Sequence, residues 1–97
     1  MEFRKGILFI RLKGDLNKDT IKGIIDKDFK YVVLNIDDMY SMDSYSIKYL
    51  NKIYRLYENN NNKFIICDKF NVSRKLLRDI PKINREYDAF ELFERMI

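Results

Sequence analysis

The residues able to do chemistry in this chain gather between a strand-like run and a helix-like one. Asp37 and Asp38 follow the β-branched apolar stretch Tyr31–Ile36, and Met42-Asp43-Ser44 opens a segment with helical spacing. Two chemistries follow. Carboxylates at the C-terminal end of a strand can hold Mg²⁺ for phosphoryl transfer. A serine at a helix N-terminus sits where backbone N–H groups and the helix dipole receive a phosphate. Each has a plainer counterpart. Acidic turns are common, and no partner lysine or threonine motif accompanies Asp37, Asp38 and Asp43, so no metal site or acid–base centre is expected. A serine ahead of a helical stripe is most often an N-cap, and from the residues alone that is the stronger reading of Ser44.

Other catalytic classes drop out for want of parts. The chain has no histidine and one cysteine, which removes zinc sites and histidine-paired nucleophiles. Three separated glycines build neither a phosphate-cradling loop nor a dinucleotide fingerprint. Neither an enzymatic activity nor a cofactor is expected. Cys67 ends an apolar run and reads as a buried, inert thiol; a lone cysteine excludes an internal disulfide and suits a reducing cytoplasm. The start of the chain, Met1-Glu2-Phe3-Arg4-Lys5-Gly6, lacks a signal-peptide layout, and no apolar run approaches the ~20 residues of a membrane span. No membrane partner is expected.

Net charge is +4, from 19 basic and 15 acidic residues. They are interleaved without a block of five or six, so nucleic acid is not the expected partner. The densest basic window is Arg74–Arg85. Arg74, Lys75 and Arg78 would share the outer, wet face of one helix.

The elements that must position these residues alternate. Ile7–Leu12 reads as a strand, with Phe3 on a short partner across the Lys5-Gly6 turn. Gly14-Asp15-Leu16-Asn17 breaks the pattern. Ile21, Ile24 and Ile25 then predict a helix over Lys18–Asp26. Tyr31–Ile36 is a strand with Val32, Leu34 and Ile36 on one face. Ser44–Glu58 is the clearest helix, with Ile47, Leu50, Ile53, Tyr54 and Tyr57 as its apolar stripe. The run Asn59–Asn62 stops it. Lys63–Cys67 is a third long strand. A helix from Asn71 or Ser73 to Ile80 follows, with Val72, Leu76, Leu77 and Ile80 inward, ended by Pro81. Ile83–Arg85 reads as an edge strand. Asp88, with Glu91 as capping-box partner, starts a last helix that buries Ala89, Leu92, Phe93 and Met96.

The whole pattern resembles the STAS domains of bacterial anti-sigma factor antagonists. The matching segments are Ile10-Arg11-Leu12-Lys13-Gly14-Asp15-Leu16-Asn17, Val32-Val33-Leu34-Asn35-Ile36-Asp37-Asp38-Met39 and Met42-Asp43-Ser44. The later stretch Lys63–Leu77 is similar to the strand and helix that follow in the family. The resemblance implies one domain over residues 1–97: an α/β fold with a mixed sheet of four or five strands and about four helices, mainly on one face. The expected core includes Ile10, Leu12, Val32, Leu34, Ile36, Leu50, Ile66, Leu77 and Phe93, and Tyr31–Ile36, apolar on both faces, is the expected central strand. In the family, the serine directly after the aspartate accepts phosphate from an anti-sigma factor that is also a serine kinase. Phosphorylation ends the binding, and a phosphatase resets it. That position is Ser44.

The pattern also departs from the family. The usual run is Asp-Ser-Ser/Thr-Gly-Leu/Ile-Gly, and here it is Asp43-Ser44-Tyr45-Ser46-Ile47-Lys48. The expected partner surface comprises Asp15, Leu16, Asn17, Asp43, Tyr45, Ser46, Lys48, Asp68 and Asn71, with Tyr45 as an exposed aromatic anchor. The alternative is an interaction or scaffold module of a signalling or transport complex that works without phosphorylation.

Overall fold

The computed structural model describes residues 1–21 and 29–96. Its centre is a five-stranded sheet in the order β1-β2-β3-β4-β5, built from β1 (Glu2–Arg4), β2 (Ile7–Leu16), β3 (Tyr31–Met42), β4 (Lys63–Cys67) and β5 (Lys82–Ile83). β1 and β2 form an antiparallel hairpin, and the other pairs are parallel. Lys5 (φ 51) and Gly6 (φ 84) make the hairpin turn, both left-handed as a two-residue connection with the right twist requires. The helices among the described residues are α1 (Lys18–Ile21), α2 (Ser44–Asn59) and α3 (Asp88–Met96). Residues 22–28, which include Ile24 and Ile25 of the expected first helix, lie outside the described residues.

Burial on both faces explains why β2, β3 and β4 are central. Residues 7–10, 32–34 and 64–67 are all buried, as strands covered on both sides must be. Leu8, Ile10, Leu12, Val32, Leu34, Ile36, Phe64 and Ile66 point to one face, where they meet Ile21 of α1 and Leu50, Ile53 and Tyr57 of α2. Ile7, Phe9, Val33, Ile65 and Cys67 point to the other, under Ala89 and Phe93 of α3. All nine expected core residues are buried.

α2 places Ser46, Leu50, Ile53 and Tyr57 inward, a 3.6-residue stripe, with Ile47 and Tyr54 half-buried beside it. The asparagine run ends it as expected. Asn61 is left-handed (φ 60), and the amide of Asn62 donates back to the carbonyl of Tyr57 at 2.8 Å.

Several expectations need correction. β2 runs on through Gly14 to Leu16 rather than ending at Leu12, and β3 to Met42 rather than Ile36, because the two strands keep pairing beyond their apolar runs. Residues 72–79 form turns rather than an α-helix, and Val72 (54% exposed) and Leu76 (46%) face solvent while Leu77 and Ile80 are buried. The buried carboxylate of Asp68 accepts from the amides of Val72 and Ser73 and ties the start of this segment down. The edge strand is Lys82–Ile83 rather than Ile83–Arg85. Asp88 is the first residue of α3, and its carboxylate accepts from the amide and guanidinium of Arg85, outside the helix.

Candidate functional site

The site is built at the far end of β2 and β3, which run on together past the rest of the sheet. β4 pairs with β3 only as far as Asn35, opposite Cys67, whereas β2 keeps pairing as far as Leu16, opposite Met42. The register shifts twice along this extension, between Arg11 and Lys13 and between Gly14 and Asp15, each time with an extra residue on β3. Such bulges increase the local twist. Gly14 supplies the left-handed backbone (φ 76) beside the second shift.

The extension ends in two caps held together. Asn17 caps α1: its side-chain oxygen accepts from the amides of Asp19 (3.0 Å) and Thr20 (3.2 Å), and its own amide donates to the Thr20 hydroxyl at 2.9 Å. Asp43 caps α2. Its amide donates to the carbonyl of Leu16 (3.0 Å), its carbonyl accepts from Ile47 (3.1 Å), and its carboxylate accepts from the amide of Ser46 (2.8 Å). The Ser46 amide, with a smaller contribution from the backbone of Lys18, holds the Asp43 carboxyl below its usual value. The hydroxyl of Ser41 donates to Asp15 at 2.7 Å, tying the two strands once more.

Ser44 is therefore not the cap. It is the first residue of a 16-residue helix, and its side chain is exposed. The amides of the first turn have no intrahelical acceptor, and the positive end of the helix dipole lies there. An oxyanion on Ser44 would meet that favourable end, with the Asp43 carboxylate next to it in the chain.

Around Ser44, Tyr45 is 38% exposed and stacks on Tyr49, ring centroids 6.4 Å apart. The Lys18 ammonium lies 6.0 Å from the Tyr45 ring, a cation–π distance. Lys48 is exposed on the next turn. Ser46 is fully buried, and its hydroxyl makes no hydrogen bond within normal geometric limits, although it lies near enough to Asp43 to reinforce the lowered carboxyl pKa.

The expected surface residues divide into groups. Asp15, Asn17, Asp43, Ser44, Tyr45 and Lys48 are exposed at the tip of the β2–β3 extension, whereas Leu16 and Ser46 are buried beneath it. The Asp68–Asn71 loop stands lower down. The amide of Lys69 donates to the Asp37 carboxylate at 2.7 Å, which sets the loop at the level of Asp37. Five strand steps separate that level from Met42, roughly 16 Å of strand at about 3.3 Å per residue. Asn71 is exposed there, and Asp68 is buried, accepting from the amides of Val72 and Ser73 and the Ser73 hydroxyl.

Sequence reasoning missed one polar cluster on the α3 side. Arg11 bridges Glu86 (2.8 and 2.7 Å) and Glu2 (3.0 Å), and Asn35 donates to Glu86 at 2.7 Å. The only sequence signal was a single arginine inside an apolar strand. Among the described residues, no three histidine, cysteine or acidic side chains gather to hold a metal. No helix among the described residues is long and apolar enough to cross a membrane.

A mixed sheet with an antiparallel edge and parallel central strands, covered by helices on both faces, is a STAS-like fold, shared with a solved anti-sigma factor antagonist. One solved structure with this fold is that of the anti-sigma factor antagonist SpoIIAA in its unphosphorylated form. Its TM-score is 0.74, and the match covers 100% of this chain and 96% of that one at 15% sequence identity. The likeness is one of fold. No family model and no curated protein matches the sequence.

Proposed function

We propose that this chain is an anti-sigma factor antagonist. It binds an anti-sigma serine kinase through the tip of the β2–β3 extension and the start of α2, and phosphorylation of Ser44 switches that binding off. One observation carries the reading: in a SpoIIAA-like fold, the serine following Asp43 is exposed at the first position of α2 while its neighbour does the capping. Ser44 is thus free of structural duty and open to a kinase. A phosphoserine adds about −1.5 to −2 charges. The helix end stabilises that charge in the free protein, whereas beside Asp43 in a packed interface it opposes docking.

Tyr45 stands where the family has a small hydroxyl residue. Stacked on Tyr49 and partly exposed, it forms a preordered aromatic contact for the partner. Asp15, Asn17 and Lys48 surround it, and Asn71 contributes only to a partner broad enough to reach down the extension. A serine phosphatase would complete the cycle.

The test is incubation with a cognate anti-sigma kinase and ATP, followed by mass-spectrometric site mapping. Phosphate on Ser44 supports the reading. A kinase that binds the chain but leaves Ser44 unmodified overturns the switch and leaves an interaction module that works without phosphorylation. Tyr45 is the next hydroxyl in sequence, and Ser46 is buried, so the site must be mapped rather than inferred from a mass shift.

A further inference from the structure

The segment between β4 and β5 displays three large apolar side chains that the fold does not use. Phe70 is 65% exposed, Val72 54% and Leu76 46%. The frame that displays them is fixed. The buried Asp68 carboxylate accepts from the amides of Val72 (3.0 Å) and Ser73 (2.8 Å) and from the Ser73 hydroxyl (2.6 Å). Leu77 and Ile80 anchor the far end in the core, and the Lys82 ammonium donates to the carbonyls of both. The amide of Leu77 donates to the carbonyl of Ser73 at 2.8 Å, a single helical turn that leaves Val72 and Leu76, four residues apart, on one side. Lys69, Arg74, Lys75 and Arg78 are exposed on the same segment, against one exposed acid, Asp79. The Lys69 ammonium lies 5.7 Å from the Phe70 ring.

We propose that residues 69–78 form a peripheral contact with an anionic phospholipid surface. Phe70, Val72 and Leu76 enter the boundary between headgroups and acyl chains, and the four cations meet lipid phosphates. Apolar side chains rimmed by lysines and arginines, whose stems reach back to water, are the chemistry of interfacial attachment. A fluid surface needs no matching shape, so three apolar side chains among four cations suffice for a peripheral contact. The expectation of no membrane partner rested on the missing spanning run, which a peripheral contact does not require. The contact stands independently of the Ser44 switch.

The test is co-sedimentation of the full chain with vesicles of phosphatidylcholine alone and with vesicles of phosphatidylcholine and phosphatidylglycerol in equal parts. The chain pellets with the anionic vesicles only, and raised salt releases it. Arg74→Glu/Lys75→Glu and Phe70→Ala/Leu76→Ala each reduce partitioning by about tenfold or more, while Ser44→Ala leaves it unchanged. The replaced side chains are exposed, and circular dichroism confirms that each variant is folded. Absence of pelleting with anionic vesicles, equal pelleting with both kinds, or unchanged partitioning of both double variants overturns the proposal. An acidic protein face is then the remaining occupant.

Discussion

At the scale of single residues, the corner between β3 and α2 divides its labour between neighbours. Asp43 satisfies the helix end and Ser44 is left over, so the two should respond differently to truncation. Ser44→Ala should shift stability by no more than about 0.5 kcal/mol, the range of an exposed position that anchors nothing. Asp43→Ala should lower the urea midpoint clearly, because it removes the acceptor of the Ser46 amide. Equilibrium unfolding of the two variants checks this. A Ser44→Ala variant less stable than Asp43→Ala would mean that the serine caps the helix after all.

Glu86 gives a second residue-scale expectation. Its hydrogen bonds from Arg11, and then from Asn35, hold its pKa below the ordinary carboxylate value. The folded value lies below the unfolded one, so the stabilisation is fully present above the unfolded pKa and is lost as pH falls through the folded one. The wild type should therefore be more stable than Glu86→Gln near neutrality, and the gap should narrow as pH drops below the ordinary carboxylate range. Thermal melts of both proteins across that range would show it. A gap that stays constant with pH would remove Glu86 from the linkage.

At the scale of elements, legibility followed locality. α2 announced itself through a 3.6-residue stripe and an asparagine stop, and Lys63–Cys67 has the bounds expected of it, because both signals lie within a few residues. β3 was legible only to Ile36. Residues 37–42 show no alternation of apolar and polar side chains, and what makes them strand is β2, whose paired residues lie 25 or 26 positions upstream, a pairing that no local pattern records. The Arg11–Glu86 contact spans 75 residues and was invisible for the same reason.

The segment after β4 failed differently. Val72, Leu76, Leu77 and Ile80 fit a helical period, yet only Leu77 and Ile80 are buried, because the segment forms turns rather than a regular helix and a period alone does not record which residues the core reaches. Asp68→Ala leaves the amides of Val72 and Ser73 without their acceptor and should cost about 1–3 kcal/mol. Asp68→Asn, which keeps an acceptor oxygen, should cost less. Chemical denaturation of both variants decides it, and equal losses would mean that one acceptor oxygen is not enough and both carboxylate oxygens are needed to hold the turn. Of the candidate site, the Asp43-Ser44 corner was legible as a motif. The burial of Leu16, Ser46 and Asp68, and the height of the Asn71 loop below Ser44, depended on the two bulged strands and could not be.

At the scale of the whole molecule, a sheet buried on both faces gives a rigid base, and the β2–β3 extension carries the candidate switch away from it. The basic, apolar 69–78 segment stands apart, near the base of the extension. The proposed phosphorylation site and the proposed lipid contact thus lie on separate parts of the molecule, and a modification at one need not disturb the other. The central proposal is that the tip is a switch. The direct measurement is the affinity of an anti-sigma serine kinase for the unmodified chain and for the chain phosphorylated at Ser44, with the site verified by mass spectrometry. The unmodified chain should bind, and the phosphorylated one should bind at least about tenfold more weakly, a difference of about 1.4 kcal/mol. Equal affinities for the two forms would contradict the account.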